Sequence, residues 1–401
     1  MMDSVKVLRV RFQNISLFKD GVMEINLIAK DKVSDAVQAF NLHNSIYTQK
    51  LLGFVGINAS GKTTSLKLLY FAMNIIINNS DLNTDYAFVK GIIQDKTIMT
   101  VDFFYQEKYY TLKSIIGKRN VEENSKKPIL YFVDECLISR DKKTVTTKKQ
   151  VFDFPEKHIS ETIIRGKLSI NELSLLKDDV SIVIKATRTN QTYLEEKLME
   201  TNVTYMGTRG IIPGVILNAF DSSLEELSCT SDGNDDYDQY IVKFKNRKEV
   251  IKVNSQWDLV NIISSGTIKG QNMIFAMVKA LSSGGYLIVD EFENHLNKEI
   301  IKMILDIFKN VNSNPYGACL IFSTHYSEIL DYMDRKDNIY ITRRQETNTY
   351  AIELLNYATQ VARNDVKKSE VILSNYVKGT APLYENMKIL SDTICKLIHN
   401  I

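Results

Sequence analysis

The residues with the clearest chemistry form one run, Gly56-Ile57-Asn58-Ala59-Ser60-Gly61-Lys62-Thr63-Thr64. The spacing Gly-x-x-x-x-Gly-Lys-Thr is that of a loop that cradles phosphates. Its glycines let backbone N–H groups curl around phosphate oxygens with no Cβ in the way. A following helix adds the positive end of its dipole. Lys62 is suited to the β- and γ-phosphates, the Thr63 hydroxyl to Mg²⁺, and the Thr64 hydroxyl to the α-phosphate. Gly56, Asn58, Ala59, Ser60, Gly61, Lys62, Thr63 and Thr64 are therefore candidate phosphate-binding residues. Later in the chain Asp290-Glu291 pairs two carboxylates. Asp290 suits the shell of a Mg²⁺ ion, and Glu291 suits polarising an attacking water. His325 is a candidate for contact with a γ-phosphate. Ser264-Ser265-Gly266, ahead of an apolar helical pattern, is a second candidate anion cradle.

Each of these groups needs an element to deliver it. Leu51 to Val55 is a short apolar run and reads as a buried parallel strand ending at the loop. Leu66, Leu69, Tyr70, Met73 and Ile76 recur at helical spacing after it. Tyr286 to Val289 is another buried strand, so its two acids fall at a C-terminal strand end, where open α/β sheets bind ligands. Two adjacent acids there are costly unless a cation or water uses them. Leu320-Ile321-Phe322-Ser323-Thr324 repeats the design and delivers His325 to the same edge. Met273, Ile274, Met277, Val278 and Leu281 form the helix behind Ser264.

The rest of the chain reads as follows. Val5 to Phe12 and Val22 to Ile28 alternate, giving a strand pair across a turn, and residues 31–49 read as a loop. Thr97 to Tyr105 and Tyr109 to Ile116 form a hairpin across Gln106-Glu107-Lys108, and Ile129 to Ser139 adds a strand. Lys118 to Lys127 reads as a charged turn and Asp141 to Gln150 as an exposed polar stretch. Ile159 to Leu175, Tyr193 to Met199 and Ile211 to Leu227 carry helical spacing, so a mainly helical lobe is expected between two halves of one α/β domain. Ser231 to Asp238, with four aspartates, lacks the ligand pattern of a calcium loop and reads as a hairpin turn. The expected division is 1–155, first half with the phosphate loop and a β-subdomain; 156–230, helical lobe; 231–345, second half; 346–401, helical extension.

Bulk properties narrow the class. The chain has 401 residues and a formal net charge of +2, so no global field favours nucleic acid or membrane. Cys136, Cys229, Cys319 and Cys395 form no C-x-x-C pair, which fits a cytoplasmic protein without structural zinc. Charges inside Met1 to Phe12 argue against a signal peptide, and no apolar stretch reaches the ~20 residues of a membrane span.

Together these pieces resemble the ABC-type ATPases. Gly56–Thr64 is like Walker A, Ser264–Gly270 like the signature, and Asp290-Glu291 like Walker B. Glu293-Asn294-His295-Leu296 resembles the D-loop, and His325 the switch histidine. That superfamily includes structural-maintenance, RecF-like and OLD-like proteins. Within it the chain is similar to stand-alone bacterial AAA family ATP-binding proteins of abortive-infection and other anti-phage systems. Asn14-Ile15-Ser16-Leu17-Phe18-Lys19-Asp20, Asp134-Glu135-Cys136-Leu137 and Tyr376-Val377-Lys378-Gly379-Thr380-Ala381-Pro382 carry that narrower likeness.

The resemblance implies an α/β fold with a mixed central sheet, an antiparallel β-subdomain and an inserted helical lobe. It implies ATP and Mg²⁺ as cofactors, with Lys62, Glu291 and His325 catalytic and Thr63 and Asp290 at the metal. It also implies a head-to-tail homodimer, or a higher oligomer built on it. There Ser264, Ser265 and Gly266 of one copy would meet ATP held by the other. A separate toxin or nuclease would be the effector of a defence system. A DNA-binding ATPase of repair or chromosome maintenance is the alternative, which leaves nucleic acid open as a partner; a scaffold that binds ATP with little turnover is the third reading. Ser-Ser-Gly-Thr in place of Ser-Gly-Gly-Gln speaks against a transporter subunit. No long heptad run separates Lys62 from Ser264, so no coiled-coil arm is expected. The tail after His325 is too short for the nuclease domain of OLD proteins. Gln94 and Gln106 are the candidates for a Q-loop glutamine.

Overall fold

A computed structural model describes residues 4–84, 86–89, 91–119, 128–198, 206, 210–231, 238–294, 296–344, 350–361, 366–381 and 384–399. The expected turns over 120–127 and 232–237, together with Met199, His295 and Pro382, lie outside the described residues.

The functional strands meet in one six-stranded mixed sheet. Its members in chain order are β1 (Leu51–Val55), β2 (Leu194–Lys197), β3 (Tyr286–Val289), β4 (Cys319–Thr324), β5 (Ile339–Arg344) and β6 (Ile352–Asn356). Their spatial order is β2-β3-β4-β1-β5-β6, parallel throughout except for β6, which runs antiparallel to β5. The strand bearing His325 therefore lies between the strand that feeds the glycine loop and the strand that ends at Asp290-Glu291. β1, β3 and β4 are buried along their whole length, which is why they read as continuous apolar runs.

Helices and a second sheet cover the two faces. Helix α1 (Lys62–Ile77) is apolar almost all round because it lies between β-layers, sharing one core with Leu52 and Phe54 of β1 and with Val10, Val101 and Leu112. Those last residues belong to an antiparallel six-stranded sheet formed by Val22–Asn26, Lys6–Gln13, Thr97–Tyr105, Lys108–Arg119, Ile129–Asp141 and Glu161–Ile164, in that spatial order. Helices α2 (Ser265–Ser283) and α3 (Lys298–Lys309) cover the other face through Met273, Met277, Ile304 and Phe308. Among the described residues no helix is long and apolar enough to cross a membrane, and all four cysteines are free.

Several sequence expectations change. The loop expected over 31–49 contains a hairpin, Ala39–His43 with Ile46–Gln49, turned at Asn44 in the left-handed region (φ 49°). The expected helical lobe is mostly not helical. Glu161–Ile164 pairs with Ser139–Cys136, and the helix nearby is limited to short pieces: a 3-10 turn at Arg165–Lys167, Ile170–Leu175 capped by Ser169 with Glu172, and one turn at Ile184–Thr187. Leu194–Lys197 is the edge strand β2. Its two acids and lysine mimic helical spacing, but pairing satisfies the backbone of β3, and Lys197 meets Glu195 at 2.9 Å. Between 211 and 227 the helix is confined to Gly214–Phe220, after Pro213. Leu224–Ser231 instead pairs with Asp238–Phe244 in a four-stranded sheet that includes Gly210–Ile211 and Val250–Val253. The extension expected to be helical from 346 first contributes β6 to the central sheet and turns helical after it.

Candidate functional site

The glycine loop has the geometry its sequence requires. Gly61 takes φ 108° as the residue before α1, and Ala59 takes φ 59°. A Cβ on Gly61 would stand 2.6 Å from the Ile352 side chain, and one on Gly56 would stand 2.3 Å from the Thr342 carbonyl. Both glycines are thus imposed by β5 and β6 as well as by any ligand. The first N–H groups of an α-helix have no acceptor within it. No side chain caps this end of α1. The loop therefore presents donors that an anion would satisfy.

Lys62 is buried, and its Nζ donates to the carbonyls of Gly56 (2.8 Å) and Ile57 (3.2 Å) and to Nδ1 of His325 (3.3 Å). Burial lowers its pKa, against the opposing pull of Asp290, Glu293 and Glu291. Asp290 is buried at the end of β3 and accepts from the Thr63 hydroxyl at 2.7 Å. Its other oxygen accepts from the Ser323 hydroxyl. Ser323 in turn accepts from the Glu291 N–H at 2.8 Å, so one hydroxyl aligns both acids. Glu291 sits at φ 49°, a strained conformation for a residue with a Cβ, and this turns its carboxylate into the cleft. There it lies 3.6 Å from Nε2 of His325 and 3.5 Å from Nδ2 of Asn294. The Glu293 carboxylate accepts from the His325 N–H at 2.6 Å and fixes the turn after β4.

Lys62, Glu291, Glu293, Asn294 and His325 line one open cleft of about 740 Å³, together with Tyr326 and Arg344. Lys62, Thr63, Thr64, Asn58, Ala59, Ser60, Gly61, Glu291 and His325 all face it. Asp290 lies behind Thr63 and lines a small adjoining cavity with Lys269 and Asn272 of α2. Ser264, Ser265 and Gly266 do not line the cleft. Ser264 caps α2 by accepting from the Thr267 N–H at 3.1 Å. Neither Q-loop candidate reaches the cleft: the Gln94 side chain donates to Ser16 and that of Gln106 to Tyr105.

Sequence reasoning missed Ser323, Thr342 and Arg344, and named Glu293 only within a D-loop resemblance. Arg344 donates from Nε to the Ala59 carbonyl at 2.7 Å, and Thr342 bonds Ser60 at 2.7 Å, so the end of β5 braces the glycine loop. A polar residue inside the apolar run before His325 was the available signal for Ser323. Nothing near 342–344 pointed toward a loop almost three hundred positions earlier.

A strand bearing the histidine, set between the loop strand and the acid strand, defines a mixed α/β protein whose architecture fits a P-loop ATPase. The family described as "AAA domain, putative AbiEii toxin, Type IV TA system" matches residues 219–331. That segment holds Ser264–Gly266, Asp290, Glu291 and His325 but not the glycine loop. The match supports an AAA/ABC-like P-loop ATPase family. No curated protein matches the chain.

Proposed function

We propose that the protein binds and hydrolyses ATP with Mg²⁺, and that two copies close around the nucleotide. The observation that carries this reading is the convergence on one cleft of Lys62, the Thr63–Asp290 pair and the Glu291–His325 pair. The cleft is of the size that small ligands occupy. Its uncapped helix end and buried lysine suit a triphosphate, and the Lys62 contacts with Gly56 and Ile57 are ones that phosphate oxygens would replace. Among the described residues no cluster of three acidic, histidine or cysteine side chains could hold a metal alone. Mg²⁺ would therefore be held by Thr63, Asp290, water and phosphate oxygens, and would neutralise charge on the phosphates.

Within this reading Glu291 orients and polarises the attacking water. Ser323 holds the Glu291 backbone N–H, Asn294 donates to its carboxylate, and His325 bridges that carboxylate to Lys62 beside the terminal phosphate. Ser264, Ser265 and Gly266 lie away from their own cleft, which supports their use by a second copy. Closing and opening of the dimer would then be the output. We read that output as regulation of a separate toxin or nuclease in a bacterial defence system, in line with the toxin–antitoxin wording of the matched family.

Glu291→Gln tests the reading. It keeps shape and hydrogen bonding but cannot polarise water, so ATP should bind and stay, and the variant should accumulate as an ATP-bound dimer on size exclusion. Turnover at the wild-type rate would assign the water to another residue and overturn the mechanism.

A further inference from the structure

The C-terminal helix, Tyr384–His399, is amphipathic and uncovered. Met387, Leu390, Ile394 and Leu397 follow a 3-4-3 spacing. At about 100° per residue these four and Ile398 fall in one arc of roughly 100°. Lys388, Asp392 and Lys396 lie on the opposite side. The apolar stripe is open to solvent along its length: Met387 is 57% exposed, Leu390 54%, Ile394 47%, Leu397 61% and Ile398 63%. Helix α3 makes the contrast within the same chain. Its stripe, Ile301, Ile304, Leu305 and Phe308, is buried against the central sheet. None of the five C-terminal residues packs into a buried apolar core. A helix of this length draws its stability from a covered apolar face.

Alternating three- and four-residue steps make the seam of a coiled coil, and such a seam is complementary to a copy of itself. No charged residue interrupts this one, so a symmetric pair would bury no unpaired ion. Five half-exposed side chains on each of two copies amount to about 1,000 Å² of removable surface, which is the lower bound for a specific interface.

We propose that Tyr384–His399 pairs with the same helix of a second copy, forming a dimer contact that needs no nucleotide. Two heptads make a short seam, so the contact is reversible and concentration-dependent. It is separate from the closure proposed at the cleft. Its consequence is that two copies stay together when the cleft opens, which turns reclosure into an intramolecular step with a high effective concentration.

Sedimentation velocity on the full chain without nucleotide, over roughly a hundredfold range of concentration, tests this. The expected result is a monomer–dimer equilibrium. Leu390→Asp combined with Ile394→Asp should weaken it by at least about tenfold, while the apolar swap Leu390→Met should leave it nearly unchanged. Both positions are exposed in the monomer, so the circular dichroism of the core should not move. Lys62→Ala should dimerise as the wild type does, which separates this contact from one made through ATP. A wild-type chain that stays monomeric throughout, because the stripe docks on this chain's own surface or on a different protein, would overturn the proposal. So would a doubly substituted chain that still dimerises as tightly as the wild type.

Discussion

Lys62 illustrates how one side chain is prepared by its surroundings. Its Nζ is held by two loop carbonyls and the His325 ring, in a buried position that lowers its pKa. The three acids nearby oppose that shift, and phosphate oxygens would do the same. Lys62→Ala should therefore abolish nucleotide binding, because the phosphates lose their only buried cation in this cleft among the described residues. A titration with a fluorescent ATP analogue that returned unchanged affinity would remove the glycine loop from the site. Ser323 is the other residue whose role outruns its appearance. It donates to Asp290 and accepts from the Glu291 N–H. Ser323→Ala should leave ATP affinity within about threefold but cut turnover by about tenfold or more, as loss of an orienting group does at other sites. Equal losses in binding and turnover would make it a structural residue instead.

At the scale of elements, the acid strand depends on neighbours that carry no chemistry. Residues 165–193 run from the antiparallel sheet to β2, which pairs with β3 beside Asp290. A buried carboxylate anchors that run. Glu135 accepts from the Arg165 guanidinium at 2.8 and 2.9 Å, from the Ser181 hydroxyl at 2.6 Å, from Ser114 at 3.0 Å and from the Ile182 N–H at 3.0 Å. Burial raises the Glu135 pKa, and these donors hold against that. Removing one partner of such a pair strands a charge in the interior. Arg165→Ala should accordingly cost about 3–5 kcal/mol in a urea unfolding curve. A double replacement with apolar residues, Glu135→Leu with Arg165→Met, should not recover that loss, because the Ser114 and Ser181 hydroxyls and the Ile182 N–H would lose their buried acceptor. A single-variant cost below about 1 kcal/mol would mean that water reaches the carboxylate.

For the molecule as a whole, the separation of the Ser264 helix end from the cleft decides the most informative experiment. Ser265→Arg puts bulk and charge where a partner's terminal phosphate would dock, and leaves its own glycine loop intact. It should bind ATP and hydrolyse it poorly, since closure completes the site. Mixing Ser265→Arg chains with Lys62→Ala chains then discriminates. If the serine acts across an interface, each mixed dimer has one site with both lesions and one with neither, so activity should partly return. If it acts within its own chain, every site keeps a lesion and no activity returns. Crosslinking residue 265 to a γ-phosphate-labelled analogue distinguishes strict coupling of the two sites from action within one chain. Labelling confined to the chain that holds that nucleotide would end the two-copy closure.

The sequence alone determined the parts that short-range chemistry dictates. The glycine loop, the strand before it and the helix after it lie within twenty-seven consecutive positions, and their spacing can serve few other purposes. Asp290, Glu291 and His325 were legible because a buried run ending in a polar group is costly without a use. Tertiary structure decided what joins distant segments. β2 and Glu161–Ile164 read as helix because polar residues on an edge strand carry no alternation that would betray them, and only the neighbouring backbone makes them strands. The bracing of the glycine loop by Thr342 and Arg344, and the alignment of both acids by Ser323, depend on the order of parallel strands in the sheet. That order is set by crossovers and by packing on two faces, and no local pattern encodes it.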